Sequence, residues 1–360
     1  MSPAEEHKAR FEALFNYATL PFYWRWYEEE RGRPNYAYTE TVIEWCKERG
    51  IRMKAHPVLW DAISGKPAWN GDRMPPPELQ RARIFDLLGR FGDAIEFWEI
   101  VNEPAHCKGV AIDEPYRWAR QARPDACLIV NDYQVMADGC PPFYELLKAA
   151  VRAGVPFDGI GIQAHEPPHL WFPMDRTWEI LDRYAELGKG LHITEFTPTS
   201  DGERVVGMVD RGVWDEEKQA EFAEKFYRVC FGHPAVVAIT WWDLSDATSW
   251  RKNGGLVDAE MRPKPAYLRL RRLIREEWMT RISGRTDETG RFAFRGFFGR
   301  YRVTVMSGSA AATREVNLEK GDSRGARVEW VVDLPAQQPE RNGTASLERA
   351  RRPTVKTAPR

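Results

Sequence analysis

Two glutamates stand directly behind apolar runs: Glu103 follows "FWEIVN" and Glu195 follows "LHIT". A carboxylate straight after a buried strand is costly to desolvate unless it is paired or used in chemistry. At the ends of other β-like runs stand His56 and Trp60, Asn102, Asn131 and Asp132, Gln163 and His165, and Trp242 with Asp243. Two carboxyls among Trp, His, Asn and Gln, with no phosphate-binding loop and no metal-type Cys/His spacing, suit cleavage of a glycosidic bond. One carboxyl protonates the leaving oxygen while the other attacks the anomeric carbon or activates water. A separation of about 5–5.5 Å gives retention through a covalent intermediate, and about 6.5–9.5 Å gives inversion. An ion pair with a neighbouring Arg or Lys accounts for one such acid. Two of them in this company favour function.

A more conspicuous motif misleads. Residues 165–169 read "HEPPH", the H-E-x-x-H pattern in which two histidines one helical turn apart bind zinc. Pro167 and Pro168 forbid that helix, because proline lacks the N–H and forces the residue before it out of the α region. "FDGIGIQA" just upstream is β-like, so His165 ends a strand. Gln163 and His165, two apart, then project together, and they are expected to orient Glu195 and keep it ionised. Glu166 and His169 become loop residues.

The elements that must position these groups alternate. β-like runs at 14–20, 51–60, 95–102, 127–133, 157–165, 191–196 and 236–244 are separated by helical patterns such as "YTETVIEWCKERG" and "DEEKQAEFAEKFYRVC". This alternation describes a parallel (β/α) barrel, whose catalytic groups sit at the C-terminal strand ends. Seven strands can be counted, and the chain opens on a helical pattern, "PAEEHKARFEALF". The expected fold is therefore a (β/α)8 TIM barrel lacking its first strand, with two unpaired edges and a truncated N-terminus. Residues 1–279 form that domain. Residues 280–335 alternate in the β manner and read as a small β-sandwich-like module, in which Phe297, Phe298 and Trp330 are expected to pack a core. Residues 336–360 are polar and basic, and are expected to be disordered.

Composition excludes other classes. With 52 basic and 53 acidic side chains the net charge is −1, so neither nucleic acid nor an anionic membrane is an expected partner. No run is apolar enough to span a bilayer, and the N-terminus is not a signal peptide. No cofactor and no metal are expected, nor any disulfide framework from five cysteines.

The motifs "VNEP" (101–104), "NDY" (131–133), "GIGIQAH" (159–165), "ITEF" (193–196) and "ITWWDLSDATSW" (239–250), in this order, resemble glycoside hydrolase family 10. "HPVLW" (56–60) and "RPKPAYLRLRRLI" (262–274) extend the likeness over roughly residues 14–278. Members of that family are mainly endo-β-1,4-xylanases, so the resemblance implies retention, with Glu103 as acid/base and Glu195 as nucleophile. It places His56, Trp60, Asn102, Gln163 and His165 around the sugar at the cleavage point and makes Trp242 and Trp250 stacking walls. It also implies a monomer acting on xylan or a related β-glycan, in a secreted or periplasmic setting. Departures lie on the glycone side. Where the family has T-P-E-N-x-M-K this chain has "TLPFYWR", so Pro21 and Phe22 replace Glu and Asn, and Arg25 replaces Lys as the remaining binding candidate there. Asp61, Thr197 and Asp243 replace a His, an acid and a Gly. The alternative expectation is a non-catalytic carbohydrate-binding protein on a degenerate barrel.

Overall fold

The structure is a computed structural model that describes residues 2–166, 168–207, 211–308, 310–319, 331–332 and 344–349. The chain forms two compact units, Met1–Arg269 and Leu270–Arg360. In the first, seven principal parallel strands are joined by helices. They are β1 (Tyr17–Pro21), β2 (Arg52–His56), β4 (Phe97–Asn102), β5 (Cys127–Asp132), β6 (Gly159–Ile162), β7 (Gly190–Phe196) and β8 (Val236–Trp241). A short strand, β3 (Leu59–Trp60), pairs with the end of β4. Pro57, which has no N–H to donate, falls between β2 and β3 and breaks the ladder there. Pairing resumes when Val58 N–H donates to the Glu99 carbonyl at 2.9 Å.

The ladder runs β1-β2-β4-β5-β6-β7-β8, leaving β1 and β8 as its edges. This is the nearly closed barrel that the seven apolar runs foretold. Along β8 only Trp241 is fully buried, and Val237 is 54% exposed. The central strands β4, β5 and β6 are buried almost throughout. Helices cover them with apolar stripes at helical spacing, as in Pro77–Phe91, where Ile84, Leu87, Leu88 and Phe91 are buried. A run of prolines opens that helix, and Asp215 caps Glu216–Gly232 by accepting from Lys218 N–H at 2.7 Å.

Space inside the barrel is set by β6, which reads Gly-Ile-Gly-Ile. The isoleucines are buried, and the glycines make room for side chains from neighbouring strands. A Cβ on Gly159 would lie 3.1 Å from the His192 ring, and one on Gly161 would lie 2.6 Å from Asn131 Oδ1 and 3.0 Å from its Cα.

In the second unit β9 (Arg281–Arg285), β10 (Gly299–Ser307), β11 (Ala310–Leu318) and β12 (Thr344–Arg349) pair as one antiparallel sheet, in the order β11-β10-β12-β9. Among the described residues these strands form a single sheet. Strand β12 lies within the span read as a disordered tail. Its backbone is paired on both sides, by β9 and β10, which its polar composition concealed. The rest of 336–360 and Trp330 lie outside the described residues. Phe297 and Phe298 are 42% and 53% exposed, while Tyr301 is fully buried and is the aromatic at the core of this sheet among the described residues.

Gly161→Ala should force Asn131 aside and lower unfolding free energy by about 1–3 kcal/mol, the usual result of overpacking. Urea unfolding measures this, and a variant as stable as the parent would show that β6 has room to spare.

Candidate active site

The backbone aims both carboxylates by departing from regular strand geometry. The β4–β5 register shifts between Glu99 and Asn102, and the β7–β8 register shifts between Ile193 and Phe196. Such bulges re-aim side chains and collect next to functional sites. At the second one, adjacent residues face the same interior network: Thr194 Oγ1 donates to Asn131 Oδ1 at 2.6 Å, and Glu195 receives Asn131 Nδ2–H at 2.9 Å. Glu103 itself has φ = +57°, a left-handed conformation uncommon for a residue with a side chain.

Glu195 is 5% exposed. Besides Asn131 at Oε1, it has His165 Nε2 at 2.9 Å from Oε2 and His56 Nδ1 at 3.9 Å from Oε1. Burial pushes this carboxyl up. The charge of His56, the hydrogen bond and charge of His165, and the charge of Lys54 outweigh it and hold Glu195 well below the usual carboxylate range. Behind lies a buried triad in which Glu99 accepts from the Lys54 ammonium and faces His56 Nδ1. Burial raises Glu99 too, and Lys54 and His56 again bring it down. His165 Nδ1 meets Thr197 Oγ1 at 3.2 Å, so a neutral hydroxyl steadies the imidazole.

Glu103 receives Trp60 Nε1–H at Oε2 (2.9 Å) and Gln163 Nε2–H at Oε1 (3.0 Å). Gln163 and His165 thus divide between the two carboxylates, correcting the expectation that both serve Glu195. The second partner of Glu195 is Asn131, a strand-end residue given no site role from sequence. A hydrogen-bond relay joins the acids: Gln163 Nε2 also lies 3.4 Å from Asn102 Oδ1, which accepts from Asn131 Nδ2 at 2.9 Å. The Asn102 side-chain oxygen is thus engaged by two amide groups.

Tryptophan rings pack against the two histidines. Trp242 meets His56 and His165 edge-on at 5.1 and 6.2 Å, and Trp250, 58% exposed at the rim, lies 5.0 Å from His165. Asp243 holds that loop by accepting Trp250 N–H at 3.0 Å, with φ = +59° where the family pattern has Gly. Tyr23 was missed in sequence. It packs 5.7 Å from His56 and 6.0 Å from Trp60, and burial together with the charges of Glu195, Glu99, Glu103 and Asp243 pushes its hydroxyl far up. Its only sequence signal was its place in "TLPFYWR", directly after Pro21 and Phe22, where the family pattern has Glu and Asn. Arg25 does not join the group. Its guanidinium turns to Asp72 at 2.7 Å and to the carbonyls of Ile63 and Lys66, because the loop after β3 offers it acceptors nearby.

The two histidines of "HEPPH" have separate partners, His165 on Glu195 and His169 on Asp201 at 2.9 Å. All five cysteines are free thiols, and no helix among the described residues is long and apolar enough to cross a membrane.

Residues 3–272 match the model of glycosyl hydrolase family 10. The chain belongs to glycosyl hydrolase family 10. It is 28% identical over 302 residues to endo-1,4-beta-xylanase B of Thermotoga neapolitana, covering 76% of this chain and 85% of that protein. It is also 30% identical over 327 residues to anti-sigma-I factor RsgI6 of Acetivibrio thermocellus, covering 85% of this chain and 40% of that one. Xylanase 10B from Thermotoga petrophila, solved with xylobiose, superposes with a TM-score of 0.65 at 27% identity, covering 77% of this chain and 90% of that one. The chain spans less than half the length of the first curated relatives it matches.

Glu166 offers a test of how tightly the loop beside the family 10 cleft is packed. Burial pushes its carboxyl up to about 8 against the pull of the Met136 and Ala137 N–H groups and Arg251, and its Oε2 has no partner among the described residues. The folded chain therefore holds a proton between roughly pH 4.5 and 8 that the unfolded chain has lost, so stability falls as pH rises through that window. Glu166→Gln should remove this decline, gaining roughly 1–3 kcal/mol on the parent between pH 5 and 8.5. Parallel stability curves would show the carboxyl to be solvated.

Proposed function

We propose that the barrel is a retaining endo-β-1,4-glycanase of the xylanase type, with Glu195 as nucleophile and Glu103 as acid/base. The observation that carries this reading is the contrast between the acids. Glu195 is buried and held ionised by His165, Asn131 and His56, as a nucleophile requires. Glu103 lies across the same cleft, tied to it through Gln163, Asn102 and Asn131. Membership of family 10 and the xylanase relatives support it.

In the first step a Glu195 oxygen bonds to the anomeric carbon as the glycosidic C–O bond breaks, and the Glu103 proton goes to the leaving oxygen. In the second, water attacks the same carbon, Glu103 takes its proton, and the bond to Glu195 breaks. Two inversions at one carbon give net retention. Asn102 donates to the sugar 2-hydroxyl, a contact that strengthens in the transition state, and Trp242 and Trp250 stack on ring faces. On the glycone side Tyr23 stands in for the usual polar contacts, while Pro21 and Phe22 remove others. Xylan is the substrate we infer, a polymer met outside the cytoplasm.

Glu195→Gln and Glu103→Ala should each lower reducing-sugar release from xylan by about 10³-fold or more, within the range of nucleophilic and general-acid contributions. Azide should restore turnover of an activated aryl xyloside to Glu103→Ala alone, because it replaces only the base-activated water. Normal hydrolysis by Glu195→Gln would refute the assignment. Xylan binding without product from the unaltered protein would leave a carbohydrate-binding barrel instead.

A further inference from the structure

The carboxyl of Glu103 has a third partner, which the mechanism above leaves unused. Cys107 follows Glu103 by four residues, and the backbone between them closes a hydrogen-bonded turn. The N–H groups of His106 and Cys107 both donate to the Glu103 carbonyl, at 3.1 and 2.6 Å. The turn brings the two side chains together, and Cys107 Sγ lies 3.6 Å from Glu103 Oε2 as donor. The turn is held from two sides. Asp132 accepts Ala105 N–H at 2.8 Å and faces His106 Nδ1 at 2.6 Å. Gly109 packs so closely on Asp61 that a Cβ there would fall 2.1 Å from the carboxylate oxygen. The thiol is therefore a fixed feature of the site.

Its chemistry differs from that of its neighbours. Trp60 Nε1–H and Gln163 Nε2–H can only donate, and strongly, whereas a thiol is a weak donor. Burial, then the charge of Glu103 and its hydrogen bond, push the Cys107 thiol up to about 11, so it keeps its proton at neutral pH. Other polar and titratable groups also face this corner. Tyr23 comes from the segment after β1, and Tyr133 from the end of β5 with His106 stacked on it at 3.7 Å. Asp61, after β3, is paired with Lys66 at 2.8 Å.

We propose that Cys107 is a positioning residue for Glu103, its S–H holding Oε2 beside Trp60 and favouring the ionised carboxyl that accepts the proton of water. The inference rests on Glu103 being the acid/base, and it moves only protons between groups already named. With Trp60 and Gln163 already donating to this carboxyl, a weak third donor steadies Oε2 while adding little against the protonated form that the first step needs.

The test is the pH dependence of kcat/KM on xylohexaose, whose alkaline limb reports loss of the acid's proton. Cys107→Ala removes a donor to the ionised form and should move that limb up by about half a pH unit. Cys107→Ser, with a stronger O–H donor, should hold it at or below its wild-type position. Coincident limbs in all three proteins, or equal shifts in the same direction for both variants, overturn the inference. If the unaltered protein hydrolyses nothing, the proposed function is what fails. The Cys107 contact is then read by carbon-13 NMR titration of the Glu103 carboxyl, assigned by its loss in Glu103→Gln. An upward move in Cys107→Ala supports the contact, and identical titrations refute it.

Discussion

A carboxylate buried to 5% exposure has to remain charged if it is to attack a carbon, and the barrel mouth is arranged around that constraint. Removing an ion from water costs several kcal/mol even after relaxation. At Glu195 the cost is offset by Asn131, His165 and His56, which deliver hydrogen bonds or positive charge from three different strands or their ends. His56 in turn is oriented by Glu99, which needs Lys54 to stay ionised in the barrel interior. Glu195 is thus the outermost member of a buried charge series reaching into the core. A change at Lys54 or Glu99 reaches Glu195 through His56.

Preorganisation comes from the backbone. A regular strand alternates its side chains, yet Thr194 and Glu195 both serve the interior, and the register shift in β7 is what permits it. The shift in β4 and the left-handed φ of Glu103 do the same on the other side. Gly161 lets Asn131 stand where it joins Asn102 to Glu195. These features sit where the two carboxylates emerge, so both acids are held by groups with little freedom to reorganise when charge moves.

Much of this was legible in the residues. Apolar runs interleaved with amphipathic ones located all seven principal strands, because burial on both faces leaves a continuous apolar signature. Charge directly behind such a run marked Glu103 and Glu195. What alternation cannot express is a bulge, so the division of Gln163 and His165 between two acids was hidden, and so was the entry of Asn131. Tyr23 was hidden for another reason: an aromatic among aromatics carries no positional signal. Arg25 failed because matched spacing says where a side chain begins and nothing of the acceptors a loop will offer it. In the second unit β12 escaped notice because pairing on both sides asks little of side-chain hydropathy.

The proposed reaction depends on Glu195 being the nucleophile that bonds to the anomeric carbon. A 2-deoxy-2-fluoro-β-xylobioside with a good leaving group forms the glycosyl-enzyme bond and then hydrolyses it slowly, so the intermediate accumulates. Mass spectrometry should find one glycosyl group per chain, and digestion should place it on the peptide carrying Glu195. A label on another residue, or hydrolysis of natural substrate with inverted anomeric configuration and no label, would contradict it.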